Sequence, residues 1–531
     1  MSLGAAGLIL LPILAVVGSV FAPAGDAWAH LAQTVLGAYV WNTALLVAGV
    51  AYGVVTIGVL SAWLVTAYRF PGQRMLEWAL ILPLAMPAYV MAYAYTDWLQ
   101  FTGPVQAALR ALTGWHAREY WFPEVRSLAG AATLLSFALY PYVYLIARTA
   151  FRDVSRSALE AGRLAGYSAW GGFFRVALPL ARPAIAAGTA LALMETLADF
   201  GTVSYFSLEV FTTGIFKAWL SMGDSVAAGQ LSSCLLGFVL LVIAFERASR
   251  GRAAYASASR NPLPPQRLRG AAGALAFLAC AAPVVFGFLL PAGILLELAL
   301  TDPEAQWGAR VVALVGNSFA IAGVTAAAGV LLATAMAYAA RLSGSRAVGV
   351  ANRVAALGYA VPGAVIAVGV LVPLGRLDNW FAGWLERSLG VHVGLLLTGT
   401  IAALVYAYLV RFLAVALQTV EAGLAKVTPG MDDAARSLGA SPSATFARVH
   451  MPLLASSFAT AGLLLFVDVL KELPATFALR PFNFDTLAVA AYQLAQDERL
   501  AEAAVPSLVI VAVGLVPLLI VSQRYFQATR S

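Results

Sequence analysis

Two pairs of carboxylates stand where apolar sequence surrounds them. Glu195 and Asp199 are four residues apart near the end of one apolar run, and Asp468 and Glu472 repeat the pair at an offset of 273. An ionisable group within a membrane span is costly and marks a functional site by default. Spacing of i, i+4 puts each pair on one helix face. Four carboxylates around one pathway would suit a cation that prefers oxygen ligands, so Glu195, Asp199, Asp468 and Glu472 are candidates for lining a translocation path. Lys471 could neutralise Glu472 or Asp468. The competing reading puts all four at helix ends, meeting interfacial water or packing partners. Other chemistry is missing. A phosphate-cradling Walker A loop ends in Gly-Lys, but Lys217, Lys426 and Lys471 follow Phe216, Ala425 and Leu470. His30, His116, His392 and His450 fall in separate loops with no i, i+4 pair, which gives a metalloenzyme no ligand set. Cys234 and Cys280 are far apart in apolar runs, so neither a disulfide framework nor a cysteine metal site is available.

The elements that must position these residues are membrane helices. Of 531 residues, 61% are hydrophobic and 11% charged, against about 25% charged in a soluble domain. The net charge of +7 does not imply nucleic acid, because the basic residues lie between apolar runs rather than on one wetted surface. Spanning a bilayer takes about 20 apolar residues. Twelve segments qualify, near 3–21, 43–67, 79–97, 128–148, 184–200, 230–245, 274–298, 317–340, 354–374, 394–411, 455–472 and 503–522. No Lys or Arg precedes the first run, so it reads as an uncleaved helix rather than a signal peptide. With both termini cytoplasmic, most of the 33 Lys and Arg residues, Arg411 among them, fall in cytoplasmic loops, as the positive-inside rule requires.

The chain also repeats itself. At the offset of 273, Glu160-Ala-Gly-Arg-Leu-Ala-Gly166 aligns with Asp433-Ala-Ala-Arg-Ser-Leu-Gly439, and Ser168, Phe173, Arg175 and Pro179 align with Ser441, Phe446, Arg448 and Pro452. Thr213 falls on Thr486, and at an offset of 275 Asn42 meets Asn317 and Pro87 meets Pro362. The expected organisation is all-α and integral to the membrane, in two parallel six-helix repeats. The first occupies 1–249 and the second 273–531, joined by a cytoplasmic linker at 250–272. Parallel repeats share a pathway between them.

In each copy the repeated loop has a helix ending at a glycine able to adopt the left-handed conformation, Gly166 or Gly439. A second helix starts at an N-capping serine, Ser168 or Ser441, with Pro442 at its first position, and is expected to stop near Pro179 or Pro452. The product is a helix-turn-helix elbow below the bilayer, and two copies with one spacing are hard to reconcile with an arbitrary loop.

Acidic-Ala-Ala/Gly, three residues, Gly, nine residues, then aliphatic-x-aliphatic/Met-Pro resembles the coupling loop of the permeases of binding-protein-dependent ABC importers. The residues that match are Glu160, Ala161, Gly162, Gly166 and Pro179, and Asp433, Ala434, Ala435, Gly439 and Pro452; Gly162 against Ala435 and Glu160 against Asp433 are mild departures. The fused two-by-six arrangement is similar to the ferric-iron type, as are Ala198-Asp-Phe-Gly-Thr-Val203 and Lys471-Glu-Leu-Pro-Ala-Thr476. The resemblance implies a bacterial inner-membrane permease that binds no cofactor itself. It implies partners too: two copies of an ATPase subunit that uses the ATP, and an extracytoplasmic solute-binding protein. Thiamine and phosphonate permeases share much of this organisation. A proton-coupled carrier, using the carboxylates as a relay, is the rival from another class, whereas a membrane enzyme lacks a nucleophile-base or metal constellation. The aromatic stretches of 98–127 and 201–229, such as Val210 to Trp219, mark the membrane interface or receive the binding protein.

Overall fold

The computed structural model describes residues 2–23, 26–116, 119–154, 159–160, 162, 164–250, 266–305, 307–392, 394 and 396–528. Among these the regular structure is helical apart from one parallel pairing of Tyr68–Arg69 with Gln266–Arg267. Eleven helices are long and apolar enough to span a membrane: Ser2–Ser19, Leu36–Ala67, Leu128–Asp153, Trp170–Ala198, Ser225–Ser249, Gly270–Thr301, Ala309–Ser343, Gly363–Leu389, Ile401–Leu424, Pro442–Leu470 and Leu500–Ile520. A twelfth is broken, with Gln73–Ala85 and Ala88–Thr113 meeting at 93°. Each expected span has its counterpart. The chain is a multi-pass, all-α membrane protein.

Proline places the break. Residues preceding proline are pushed out of the helical region, and Met86, before Pro87, is extended at φ −99° and ψ 109°. The same device recurs at Val361, extended before Pro362, so the ninth span begins at Gly363 rather than near 354 and runs on to Leu389.

Two compact units result, and neither is continuous in sequence. One comprises Met1–Ala29, Ile215–Leu236 and Trp307–Ala490; the other comprises His30–Gly214, Gly237–Gln306 and Ala491–Ser531. Within the first, Ser2–Ser19 packs on Gly363–Leu389, where a Cβ on Gly369 would stand 2.4 Å from the Pro12 carbonyl oxygen. Within the second, Leu128–Asp153 packs on both Leu36–Ala67 and Leu178–Ala198. Duplication and compactness are therefore different divisions of the chain. Most of the linker, including Asn261-Pro-Leu-Pro-Pro265, lies outside the described residues.

Equivalent contacts recur in the two units. Asn42 Nδ2 donates to the Glu209 carbonyl at 2.9 Å, and Asn317 Nδ2 to the Asp485 carbonyl at 3.0 Å. Thr43 Oγ1 accepts from Phe211 N and Ser318 Oγ from Leu487 N. Their partners Glu209 and Asp485, and Phe211 and Leu487, set the local offset there at 276, so Val210, not Thr213, is the counterpart of Thr486; three extra residues have entered around the Pro481 turn.

Close helix crossings are the part of this packing most sensitive to volume. A Cβ on Gly188 would stand 2.8 Å from Val143 Cα and 3.0 Å from the Tyr142 carbonyl oxygen, and backbone cannot swing aside as a side-chain tip can. Gly188→Ala is expected to destabilise the detergent-solubilised protein by about 1–3 kcal/mol, read as a lowered thermal midpoint against wild type.

Candidate coupling elbows and membrane carboxylates

Both expected turns form. Gly166 has φ +83° and Gly439 φ +76°. Each closes its helix with the same six-to-one hydrogen bond, from Tyr167 N to the Gly162 carbonyl at 3.0 Å and from Ala440 N to the Ala435 carbonyl at 3.0 Å. This is the Schellman closure, which needs a residue tolerant of positive φ. The next helix is capped as expected, Ser168 Oγ accepting from Gly171 N and Ser441 Oγ from Ala444 N, each at 3.2 Å. Glu160 and Gly162 fall on the described first elbow, while Ala161 lies outside the described residues. Asp433 pairs with Arg436 at 2.6 Å on the exposed face of Pro429–Ser437.

The expected stop at Pro179 and Pro452 does not occur. Each elbow helix continues into its span through a π turn, Phe173–Ala177 or Phe446–His450, giving the unbroken runs Trp170–Ala198 and Pro442–Leu470. A proline inside a helix lacks its N–H and clashes with the carbonyl four residues back, here that of Arg175 or Arg448. The wider π turn relieves that clash, so the proline shapes the helix without ending it.

An aromatic contact fixes each π turn to a long span. Phe173 lies 5.0 Å from Trp63 between ring centroids, and Phe446 lies 4.9 Å from Tyr338. The second elbow adds polar ties. Asp432 Oδ2 accepts from Arg341 Nη2 at 2.7 Å, and Asp432 Oδ1 faces His450 Nε2 at 2.7 Å. His450 is therefore a buried partner in a π turn, not a loop histidine. Burial would raise the Asp432 carboxyl, but hydrogen bonds from Arg341 and His450 outweigh it and hold the group below its usual range. Large apolar side chains remain exposed on both elbows, with Leu164 91%, Trp170 71% and Leu438 86% accessible.

The four carboxylates are arranged otherwise than expected. Leu178–Ala198 ends one residue before Asp199, and Met451–Leu470 ends two before Glu472. Neither pair lies along one helix, because the second member turns forward to cap the following helix. Asp199 accepts from Thr202 N at 3.1 Å, Val203 N at 3.2 Å and Thr202 Oγ1 at 3.0 Å. Glu472 accepts from Ala475 N at 3.0 Å, Thr476 N at 2.9 Å and Thr476 Oγ1 at 2.7 Å. Asp468 pairs with Lys471 at 2.9 Å, whereas Glu472 pairs with Arg411 at 3.0 Å. Arg411 is thus not a cytoplasmic loop residue but a buried member of Ile401–Leu424. Its role could be suspected only from a charge at the edge of an apolar run.

Up to twelve spans, paired elbows and capped breaks describe a duplicated multi-pass membrane protein. Residues 54–249 match the family model described as binding-protein-dependent transport system inner membrane component. The chain is 25% identical to the Fe(3+)-transport system permease protein FbpB 2 of Haemophilus influenzae, over 92% of this chain and 90% of that protein. It is also 25% identical to the probable ABC transporter permease protein y4fN of Sinorhizobium fredii, over 91% and 87%. The sulfate transport system permease protein CysT of Escherichia coli is 28% identical over 44% of this chain and 84% of its own length. Over residues 54–249 the chain is similar to the binding-protein-dependent importer permeases, and over nearly its whole length it is similar to two permeases of comparable length.

Positive φ is the constraint at the elbow glycines, since an added Cβ at Gly166 or Gly439 would meet nothing within 4 Å. Replacing both by Val is expected to impair transport-coupled ATP hydrolysis while the chain still inserts, at about 1–2 kcal/mol of backbone strain per site. Replacing both by Asn, which tolerates this region, should retain most of the coupling. The depressed Asp432 carboxyl gives a pH signature. Its ionised form is favoured by folding, so its contribution is present above the ordinary carboxylate pKa and is lost as pH falls through the lowered one. The stability gap between wild type and Asp432→Asn, followed by thermal unfolding, should therefore be open at neutral pH and close in acid.

Proposed function

We propose that this permease imports ferric iron, delivered by an extracytoplasmic binding protein and driven by two copies of a separate ATPase subunit. Carrying this reading is the pair of elbows, alike in cap, turn and π bulge, on a chain whose full-length likeness is to a permease named for Fe(3+) transport. Each elbow presents exposed apolar side chains beside an acidic residue, Leu164 near Glu160 and Leu438 near Asp433. That surface suits a groove on a partner. Glu160 to Gly166 and Asp433 to Gly439 supply the contact, and Pro179 and Pro452 fix how the elbow joins its span. The chain uses no cofactor of its own, and ATP is consumed by the partner. Both termini and the linker between repeats 1–249 and 273–531 face the cytoplasm, on the distribution of arginine.

The test is reconstituted uptake. Proteoliposomes containing permease and ATPase, supplied with the ferric binding protein, should accumulate radioactive iron only with ATP inside the ATPase compartment. Uptake that follows a proton gradient without the ATPase would establish the carrier reading instead. Uptake of sulfate, thiamine or a phosphonate, with no iron, would retain the mechanism and replace the cargo.

A further inference from the structure

A groove of about 860 Å³ opens between Leu36–Ala67, Trp170–Ala198 and the stretch 237–249 of a third span, all within the second unit. That volume falls in the range of about 300–1,000 Å³ found for small-molecule sites. Alanine makes the space. Ala44, Ala48 and Ala51 line it from the first span and Ala186 and Ala190 from the next, while Leu241 and Phe245 border it at 66% and 81% exposed. The groove therefore opens on an apolar surface of the unit, where lipid lies. Arg182 to Leu193 and Phe238 to Ser249 form two of its walls, each rising ~16 Å at about 1.5 Å per residue. That is close to half of a hydrocarbon core about 30 Å thick, the depth of one leaflet.

Charge is confined to one end. Arg182, Glu246 and Ser249 line the end nearer the first elbow, because Trp170–Ala198 starts from that elbow and the third span returns toward it. Glu246 already has an interaction of its own. Arg182 is exposed and makes neither a hydrogen bond nor an ion pair among the described residues. Deeper in the groove Thr189 donates its hydroxyl proton to the Ile185 carbonyl at 2.8 Å, so this wall presents no carboxylate and no free hydroxyl proton. A cation in transit finds no ligand set there. At the position aligned with Arg182 the second repeat has Ala455, so the charge belongs to the first repeat.

We propose that this groove holds one anionic phospholipid of the cytoplasmic leaflet, its headgroup phosphate on Arg182 and an acyl chain along the alanine wall. Basic pockets between membrane helices on the cytoplasmic side take anionic headgroups, and a guanidinium fork matches phosphate geometry. A zwitterionic lipid fits the apolar wall equally but brings an ammonium group of its own toward Arg182. The choice of leaflet rests on the orientation proposed above; the groove and its single charged end do not. An empty apolar groove leaves its lining without partner atoms on one side. Since one wall is the span that carries the first elbow, the lipid supplies that span with contacts the protein does not.

Native mass spectrometry of the permease with its ATPase, incubated in detergent with phosphatidylglycerol or phosphatidylcholine, tests this. The complex should retain one phosphatidylglycerol under activation that strips phosphatidylcholine. Arg182→Gln should lower that retention about fivefold or more, and Arg182→Lys should keep most of it. Ala48→Phe fills the groove from an exposed position, leaves Arg182 in place and should also lower retention. Arg346→Gln removes an exposed arginine elsewhere and should change nothing. Phosphatidylglycerol should raise the thermal midpoint of wild type but not of Arg182→Gln. Equal retention of the two lipids, or undiminished retention by Arg182→Gln, overturns the site, as does an added mass that proves to be polypeptide. Labelling of Ser345→Cys by an impermeant maleimide from outside intact cells would reverse the orientation and overturn the leaflet alone.

Discussion

Within a bilayer no water meets a backbone group that loses its helical partner, and each such group costs several kcal/mol if left alone. The capped breaks and the proline-associated π turns described above answer that constraint. Where Leu178–Ala198 ends, Asp199 receives two backbone N–H groups; where Met451–Leu470 ends, Glu472 receives two more. Where proline interrupts the ladder at Pro179 and Pro452, a π turn carries the helix past it. The carboxylates and prolines that look functional in an apolar sequence first satisfy the backbone, and any transport role is added to that duty.

The two repeats keep this backbone solution and vary the side chains around it. Trp63 on Phe173 becomes Tyr338 on Phe446. Glu77, which accepts from Arg148 and Arg152, is replaced by Asn352 donating to Glu421 at 3.1 Å. Asp432 and His450 occupy positions that are Leu159 and Ala177 in the first elbow. Both elbows share the aromatic contact and the second adds the Asp432 ties, so equivalent geometry does not imply equivalent response to pH. A duplicated chain can diverge this way because each copy needs only a partner for every buried group, not the same partner.

Patterns set by local backbone rules were legible in the sequence. Gly166, Gly439, Ser168 and Ser441 were placed correctly because turn and cap chemistry is carried by single residues. The spans were legible because length and apolarity suffice to mark them. Side-chain direction was not. The i, i+4 reading of Glu195 with Asp199 assumed that the helix continued, and nothing local to Asp199 announces that it caps the next helix. Arg411 was assigned to a loop because its partner Glu472 is 61 residues away in sequence and adjacent only after folding. His450 was misread for the same reason, Asp432 being on the preceding elbow helix.

A single helix joins the elbow to the break in each copy. Ser168 caps the start of the run ending at Ala198, and Asp199 follows it; Ser441 precedes Pro442–Leu470, and Glu472 lies just beyond. At about 1.5 Å per residue each run of 29 residues spans ~44 Å. An α-helix transmits a displacement along its axis with little loss, so a push on the elbow reaches the capped break as translation or tilt of the whole rod. The π turn is the place where that rod departs from regular geometry, and Trp63 or Tyr338 packs against its first residue. If the elbows move as proposed, the aromatic contact is the feature that opposes bending of the helix at the turn. Tight packing on a long neighbouring span favours movement of the whole rod, which places the carboxylate caps, rather than the elbows, where coupling would be felt by the cargo.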